Sequence, residues 1–229
     1  MVEFDADHRD FHLPDIGFVA AFRYRGEIGL GEDIRAPAAA LTGLHDRIRT
    51  HEHQAGSAVA IAAFTPLGAS AFFRAPLNEV ANRTVELFGS YRSVPERLAD
   101  ASDHGARFDI LEQVLLTTLG QPTLDPVVAS AVAQLQSEPS LVRIPDLARE
   151  VGLSQSALER RFNQFVGATP KRFAELVRLQ RVLRLQASGA KPSGIAHEAG
   201  YYDQSHFSRD FRRFVGLTPE NYFGQIIRR

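Results

Sequence analysis

Apolar and polar positions follow a helical period over residues 144–223, and they do so twice. The first pass reads Leu147, Ala148, Val151, Gly152, then Leu158, Phe162, Phe165, Val166. The second reads Ile195, Ala196, Ala199, Gly200, then Phe207, Phe211, Phe214, Val215. The offset is 48 residues up to the glycines (152 to 200) and 49 afterwards (162 to 211), so the second pass carries one extra residue in its turn. Self-similarity at a near-constant offset marks two copies of one supersecondary unit. Each copy predicts a short helix closed by a glycine, which takes the left-handed conformation without a Cβ clash. A three- or four-residue turn follows and ends in a candidate N-cap, Ser154 or Asp203. The next helix buries one face and leaves the other polar.

Between the copies, Thr169 and Pro170 suit the start of a helix and Gly189 suits the position past its end. About 19 residues at 1.5 Å each give a rod of roughly 29 Å. Before the repeat, Val127, Val128, Ala131, Val132 and Leu135 form a helical stripe over residues 126–136; after it, residues 219–227 predict a last helix packing Tyr222, Phe223 and Ile226, with Arg228 and Arg229 at its C-terminus.

The front of the chain is less regular. Residues 1–13 show no period and read as a mobile or loosely docked arm. Residues 16–25 and 58–64 read as strands, 26–37 as loop, and 41–49 alternate loosely enough for a strand. Residues 66–71 suit one or two helical turns, and 77–88 a helix followed by loop. Helices are predicted over 94–101 and 106–119, the second with a stripe of Phe108, Leu111, Leu115 and Leu119. The expected organisation is an N-terminal domain over 1–120, a linker over 121–126 and a helical domain over 127–229.

Composition sharpens this division. The formal charge of −1 hides a split: residues 1–125 hold 11 Lys/Arg against 18 Asp/Glu, while residues 126–229 hold 15 against 9. A basic half attracts polyanions and an acidic half is repelled by them. A helix-turn-helix pair can set its second helix into a major groove, and a rod of roughly 29 Å approaches the spacing of about 34 Å between half-sites on one face of DNA. The chain has no cysteine, which excludes disulfides, thiolate metal sites, thiol redox sensing and any cysteine nucleophile. No apolar run reaches membrane-spanning length and no basic-then-apolar leader is present, so the cytoplasm, at the nucleoid, is the expected location.

The stretch Ile195-Ala196-His197-Glu198-Ala199-Gly200-Tyr201, then Asp203-Gln204-Ser205-His206-Phe207-Ser208-Arg209-Asp210-Phe211 and Gly216-Leu217-Thr218-Pro219, resembles the signature of the AraC/XylS transcription regulators. The resemblance covers roughly the last hundred residues. It implies an α+β chain whose all-α back half is a seven-helix, double helix-turn-helix domain acting on a promoter. Its base-reading positions fall on Ser156, Glu159 and Arg160 in the first reading helix and on Gln204, Ser205, His206 and Arg209 in the second. Chemistry agrees: arginine forks onto guanine, glutamine onto adenine, and a carboxylate accepts from cytosine N4. Against this stands a solvated helix face, with Glu159 paired to Asn163. Lys171, Arg172, Arg178 and Lys191 are candidates for phosphate contacts, which position without specifying.

Phe64-Thr65-Pro66-Leu67-Gly68-Ala69-Ser70-Ala71-Phe72-Phe73, followed by Pro76-Leu77-Asn78-Glu79, is similar to the small β-rich sensor domains ahead of some AraC-type domains. The half looks short for a complete barrel of about eight strands, so it would be abbreviated or completed by a partner chain. The partners this reading implies are double-stranded promoter or operator DNA, a small-molecule effector, RNA polymerase and a second copy of the chain. No cofactor, catalytic residue or metal is expected. His8, His12, His45 and His51-Glu52-His53 read as solvated polar residues, since nothing follows at cupin-type spacing. The alternatives are a DNA-targeted enzyme with a metal-dependent front domain, and a front domain that serves only protein association.

Overall fold

Period-two burial organises the front of the chain and helical burial the back, in a computed structural model that describes residues 1–31, 34–73, 76–120, 125–190 and 192–226. Eight strands come first: β1 (Val2–Glu3), β2 (His8–His12), β3 (Phe18–Arg25), β4 (Ile28–Gly29), β5 (Ala39–Thr42), β6 (Arg49–His53), β7 (Ala58–Phe64) and β8 (Thr84–Glu86). Helices α1 (Val94–Asp100) and α2 (His104–Thr118) follow. The back half holds α3 (Pro126–Ser137), α4 (Ile144–Glu150), α5 (Gln155–Val166), α6 (Pro170–Ala187), α7 (Pro192–Glu198), α8 (Gln204–Val215) and α9 (Pro219–Ile226). This is the α+β class, with a seven-helix back half among the described residues. None of the helices described is long and apolar enough to cross a membrane.

Two compact units result. The first comprises Met1–His12, Gly17–Leu44 and Arg49–Leu124; the second comprises Asp125–Arg229 together with the short segments Leu13–Ile16 and His45–Ile48. In the first unit, an antiparallel sheet runs in the order β1-β7-β3-β5-β8 and a smaller one in the order β2-β6-β4. Strand β3 is central, and its alternation buries Phe18, Ala20, Phe22 and Tyr24 on one face. Helix α1 packs against β3 through Val94 and Leu98, neither of which is exposed at all.

Several front-half expectations are corrected here. Residues 1–13 are not a free arm, because β1 pairs with β7 and β2 pairs with β6 along its length. The 77–88 segment holds a single 3-10 turn at Leu77–Glu79 and then strand β8, not a longer helix. The strand expected over 41–49 is instead β5 ending at Thr42 and β6 starting at Arg49, and the 26–37 loop contributes β4. Eight strands are present among the described residues, although they form two sheets and β1 and β4 are two residues each. The expected linker falls largely on residues 121–124, outside the described residues. On α2 the buried positions are Leu111 and Val114, leaving Phe108 and Leu116, and Leu119 just past its end, exposed.

The second unit follows its sequence closely. Helix α3 buries Val128, Ala131, Val132 and Leu135, and packs on α5 and α6. Its N-cap Asp125 accepts from the backbone N–H of Val127 at 3.0 Å and also pairs with Arg161 of α5 at 2.8 Å. Helix α6 starts as expected: the Thr169 hydroxyl accepts from the Arg172 N–H at 3.2 Å, with Pro170 at the first position. Its inner faces bury Phe173, Ala174, Leu176, Val177, Leu179 and Val182.

Candidate nucleic-acid interface

The two motifs, α4–turn–α5 and α7–turn–α8, are built from the same local devices. Gly152 and Gly200 close the first helix of each with φ of 72° and 86°. Ser154 then caps α5 by accepting from the Ala157 N–H at 3.3 Å, and Asp203 caps α8 by accepting from the His206 N–H at 2.6 Å. Left-handed Gly167 and Gly216 end the two second helices. Inward, α5 buries Leu158, Phe162 and Val166 while Phe165 is half-buried; α8 buries Phe207, Phe211, Phe214 and Val215. The sequence reading of a buried and a free face on each helix therefore describes both.

On the outward faces, Ser156 and Arg160 of α5 are exposed, as are Gln204, Ser205 and Arg209 of α8. Glu159 is half-buried and accepts from the Gln155 side-chain amide at 2.8 Å, so its intrahelical partner is Gln155 in place of Asn163. His206 is half-exposed; its ring lies edge-on to Tyr201 at 5.3 Å between centroids, and its Nε2 sits 3.5 Å from Asp210. Lys171 is exposed at the start of α6, while Lys191 lies outside the described residues.

Arg172 and Arg178 differ from the sequence reading. The Arg172 guanidinium donates to Asp46 at 2.6 Å and to Glu175 at 3.1 Å, and lies 4.4 Å from the centre of the Phe214 ring. Arg178 is largely buried, 3.6 Å from Asp210 and 5.3 Å from the centre of the Tyr201 ring. Both cations are turned onto carboxylates and aromatic faces of their own unit, the groups that most strongly compete with a phosphate for a guanidinium.

These residues belong to a network that periodicity alone does not show. Asp210, only 7% exposed, stands on the apolar stripe of α8 between Phe207 and Phe214. Arg178, His206 and Arg213 approach it at 3.4–3.6 Å. Arg213 also donates to Glu175 at 2.8 Å, tying α8 to α6. Burial pushes the neighbouring Tyr201 hydroxyl up to about 12. An acid at a core position of an otherwise aromatic stripe was the available signal: a buried carboxylate needs cations around it. The consequence is that α8 is fixed in orientation by charge as well as by packing.

Near the C-terminal end of α8, the side chains of Ser208, Arg209, Arg212, Arg213 and Thr218 surround a recess of about 450 Å³. The Arg209 and Arg212 guanidiniums and two hydroxyls offer donors to an anion, while Arg213 is held by Glu175 and Asp210; the recess lies beside the first turn of α9, where the Asn221 N–H donates to the Thr218 hydroxyl at 3.4 Å. Arg212, exposed here, was not singled out from the sequence because it falls outside the residues nearest the helix start. In the first unit, no group of three or more His, Asp or Glu residues among those described could hold a metal ion. The front histidines are less solvated than their composition suggested, since His45 and His53 are buried and His51 is half-buried.

Comparison with known proteins places this geometry. Residues 147–225 match the family described as a helix-turn-helix domain. An AraC-like transcription regulator of Streptomyces antibioticus is 35% identical over 100 residues, covering 43% of this chain and 33% of the relative. The transcriptional activator RhaS of Pectobacterium atrosepticum is 34% identical over 84 residues, 36% of this chain and 30% of the relative. The chain thus spans about a third of the length of these curated relatives. Among solved structures, an apo ToxT variant of Vibrio cholerae strain SCE256 has a TM-score of 0.53 at 13% identity, covering 97% of this chain and 94% of its own. Wild-type ToxT with unsaturated fatty acid bound gives 0.50 at 14% identity, covering 96% and 92%. At these identities the likeness is one of fold.

Proposed function

We propose, from the helix-turn-helix match over residues 147–225 and the similarity to AraC-like regulators, that the protein is a sequence-specific DNA-binding transcription regulator that reads two adjacent major-groove segments. The observation that carries this reading is the matched pair of exposed arginines, Arg160 and Arg209, on the free faces of two helices with the same caps and closing glycines. Base contacts are assigned to Ser156, Glu159 and Arg160 of α5 and to Gln204, Ser205, His206 and Arg209 of α8. Glu159 would leave Gln155 for a cytosine amine. Lys171 and Lys191 are assigned to phosphates, together with Arg212 and the hydroxyls of its recess. Helix α6, 18 residues and about 27 Å long, is the spacer between the two reading helices.

The first unit is assigned control: a small-molecule effector that acts through its differential affinity for DNA-competent and incompetent states. The fatty acid in ToxT is the precedent of fold for a ligand-bearing relative. A second copy of the chain would raise specificity against a genome of competing sites, and the exposed apolar residues Phe108 and Leu116 of α2, with Leu119 just past its end, are the surface assigned to it. RNA polymerase at the promoter, action in the cytoplasm and the absence of any catalytic role complete the reading.

Genome-wide mapping of bound DNA, followed by binding to the recovered site and to random duplex, tests it. Arg209→Ala should relax preference at one base pair at a cost of about 1–3 kcal/mol, whereas Lys171→Ala should weaken all duplexes alike and lower the salt slope by about 1. Equal losses on specific and random DNA for Arg209→Ala would remove its base-reading role. Failure of the wild-type chain to hold any duplex at low salt would remove the function.

A further inference from the structure

The first unit contains a cavity of about 670 Å³ beside the small sheet β2-β6-β4, within the size range of ligand sites. In the sheet register, His8 faces His53 and Arg9 faces Glu52 across β2 and β6, and Ile28 of β4 faces His53 from the other side. His53 lines the cavity although only 6% of it is exposed, its ring stacked on Phe4 at 3.8 Å between centroids. Neither of its ring nitrogens makes a hydrogen bond among the described residues; the nearest charge is Asp10, 3.4 Å from Nε2. Both nitrogens are closed off from solvent, so His53 gives the cavity wall and no polar contact.

The remaining walls carry charge of both signs. Arg9 lies 3.5 Å from Glu52 and Arg35 donates to Glu27 at 2.8 Å. All four side chains are at least 41% exposed, so these are weak solvent-screened pairs that a ligand can enter without large loss. Large apolar lining is confined to Ile28 and Ile34, too little wall for a long acyl chain.

We propose that this cavity is a binding site for a small zwitterion, with its carboxylate held by Arg9 or Arg35 and its cationic group by Glu27 or Glu52. Its role as the effector site rests on the regulator reading above; the binding itself does not. Burial lowers the affinity of His53 for a proton against the opposing pull of Asp10.

The test uses the full chain in thermal denaturation, with each genetically encoded amino acid added singly at millimolar concentration and with oleate and glucose as probes lacking a zwitterion. At least one amino acid should raise Tm by about 2–4 °C, with neither oleate nor glucose doing so. Arg35→Met and Glu27→Gln, both exposed and expected to fold as the wild type does, should weaken that ligand at least tenfold. No amino-acid shift, a shift unchanged in both variants, or stabilisation by oleate alone overturns the proposal. Binding of the same preparation to its mapped duplex separates the two claims. Retained DNA binding without an amino-acid response sinks the pocket alone. An amino-acid response without DNA binding sinks the regulator reading alone.

Discussion

Gly152 and Gly200 look interchangeable in the sequence, yet the structure gives them different tolerances. Both hold positive φ, so alanine at either is strained by about 1–2 kcal/mol. At Gly152 nothing lies within 4 Å of the added methyl, whereas at Gly200 it would overlap the Ser140 side chain. Gly200→Ala should therefore cost at least about 1 kcal/mol more than Gly152→Ala in denaturant unfolding; equal losses would mean that Ser140 gives way freely. A second residue-scale expectation concerns His51. Burial, with His12, His53 and Arg49 close by and only Asp10 opposing, lowers its pKa from the ordinary 6.5 to about 4. The unfolded chain thus binds more protons than the folded one between those values. The contribution is complete above pH 6.5 and is lost as pH falls toward 4, with a slope of up to about 1.4 kcal/mol per unit from this ring. Burial shifts His12 and His53 in the same direction. His51→Gln should flatten the acid limb of stability against pH; an unchanged limb would show that this ring does not contribute. The exposed side chains of α5 and α8 were legible from helical spacing. The fates of Arg172 and Arg178 were not, because whether a cation meets water or a carboxylate depends on what other elements bring to it.

At the scale of elements, helices with local punctuation were the most legible. Thr169-Pro170, Ser154, Asp203 and the closing glycines state their boundaries in adjacent residues, and the structure uses each of them. Strands were harder because their partners are remote. Strand β8 exists by pairing Thr84 with Thr42 and Val85 with Leu41, with the two threonine hydroxyls 2.9 Å apart, and nothing in residues 77–88 announces that. Likewise β2 takes its order from β6, some forty residues later. Helix α2 shows a further limit: its apolar period was visible, but the structure buries Leu111 and Val114 and leaves Phe108, Leu116 and, just past its end, Leu119, at 58%, 64% and 47%, to solvent. An exposed apolar face on a helix is a common mark of association. Leu116→Asp should convert a dimer into a monomer in sedimentation or light scattering while leaving the fold intact by circular dichroism. A wild-type chain that is already monomeric at micromolar concentration would refute the assignment.

Over the whole molecule, charge and fold divide near the same place. The acidic residues 1–125 contain both sheets, and the basic residues 126–229 contain the two motifs. Helix α6 packs against α3, α5 and α7, and receives the Arg213–Glu175 pair from α8, so both motifs lean on a single shared support. Such a support should be the last part of its unit to open. Its central amides, around Val177, should therefore exchange with deuterium most slowly, while those of α4 and α7 exchange sooner. Uniform exchange across the seven helices would contradict this. If the order holds, either motif can fray and re-form while the other keeps its footing, and the protein could release one half of its target without leaving the other.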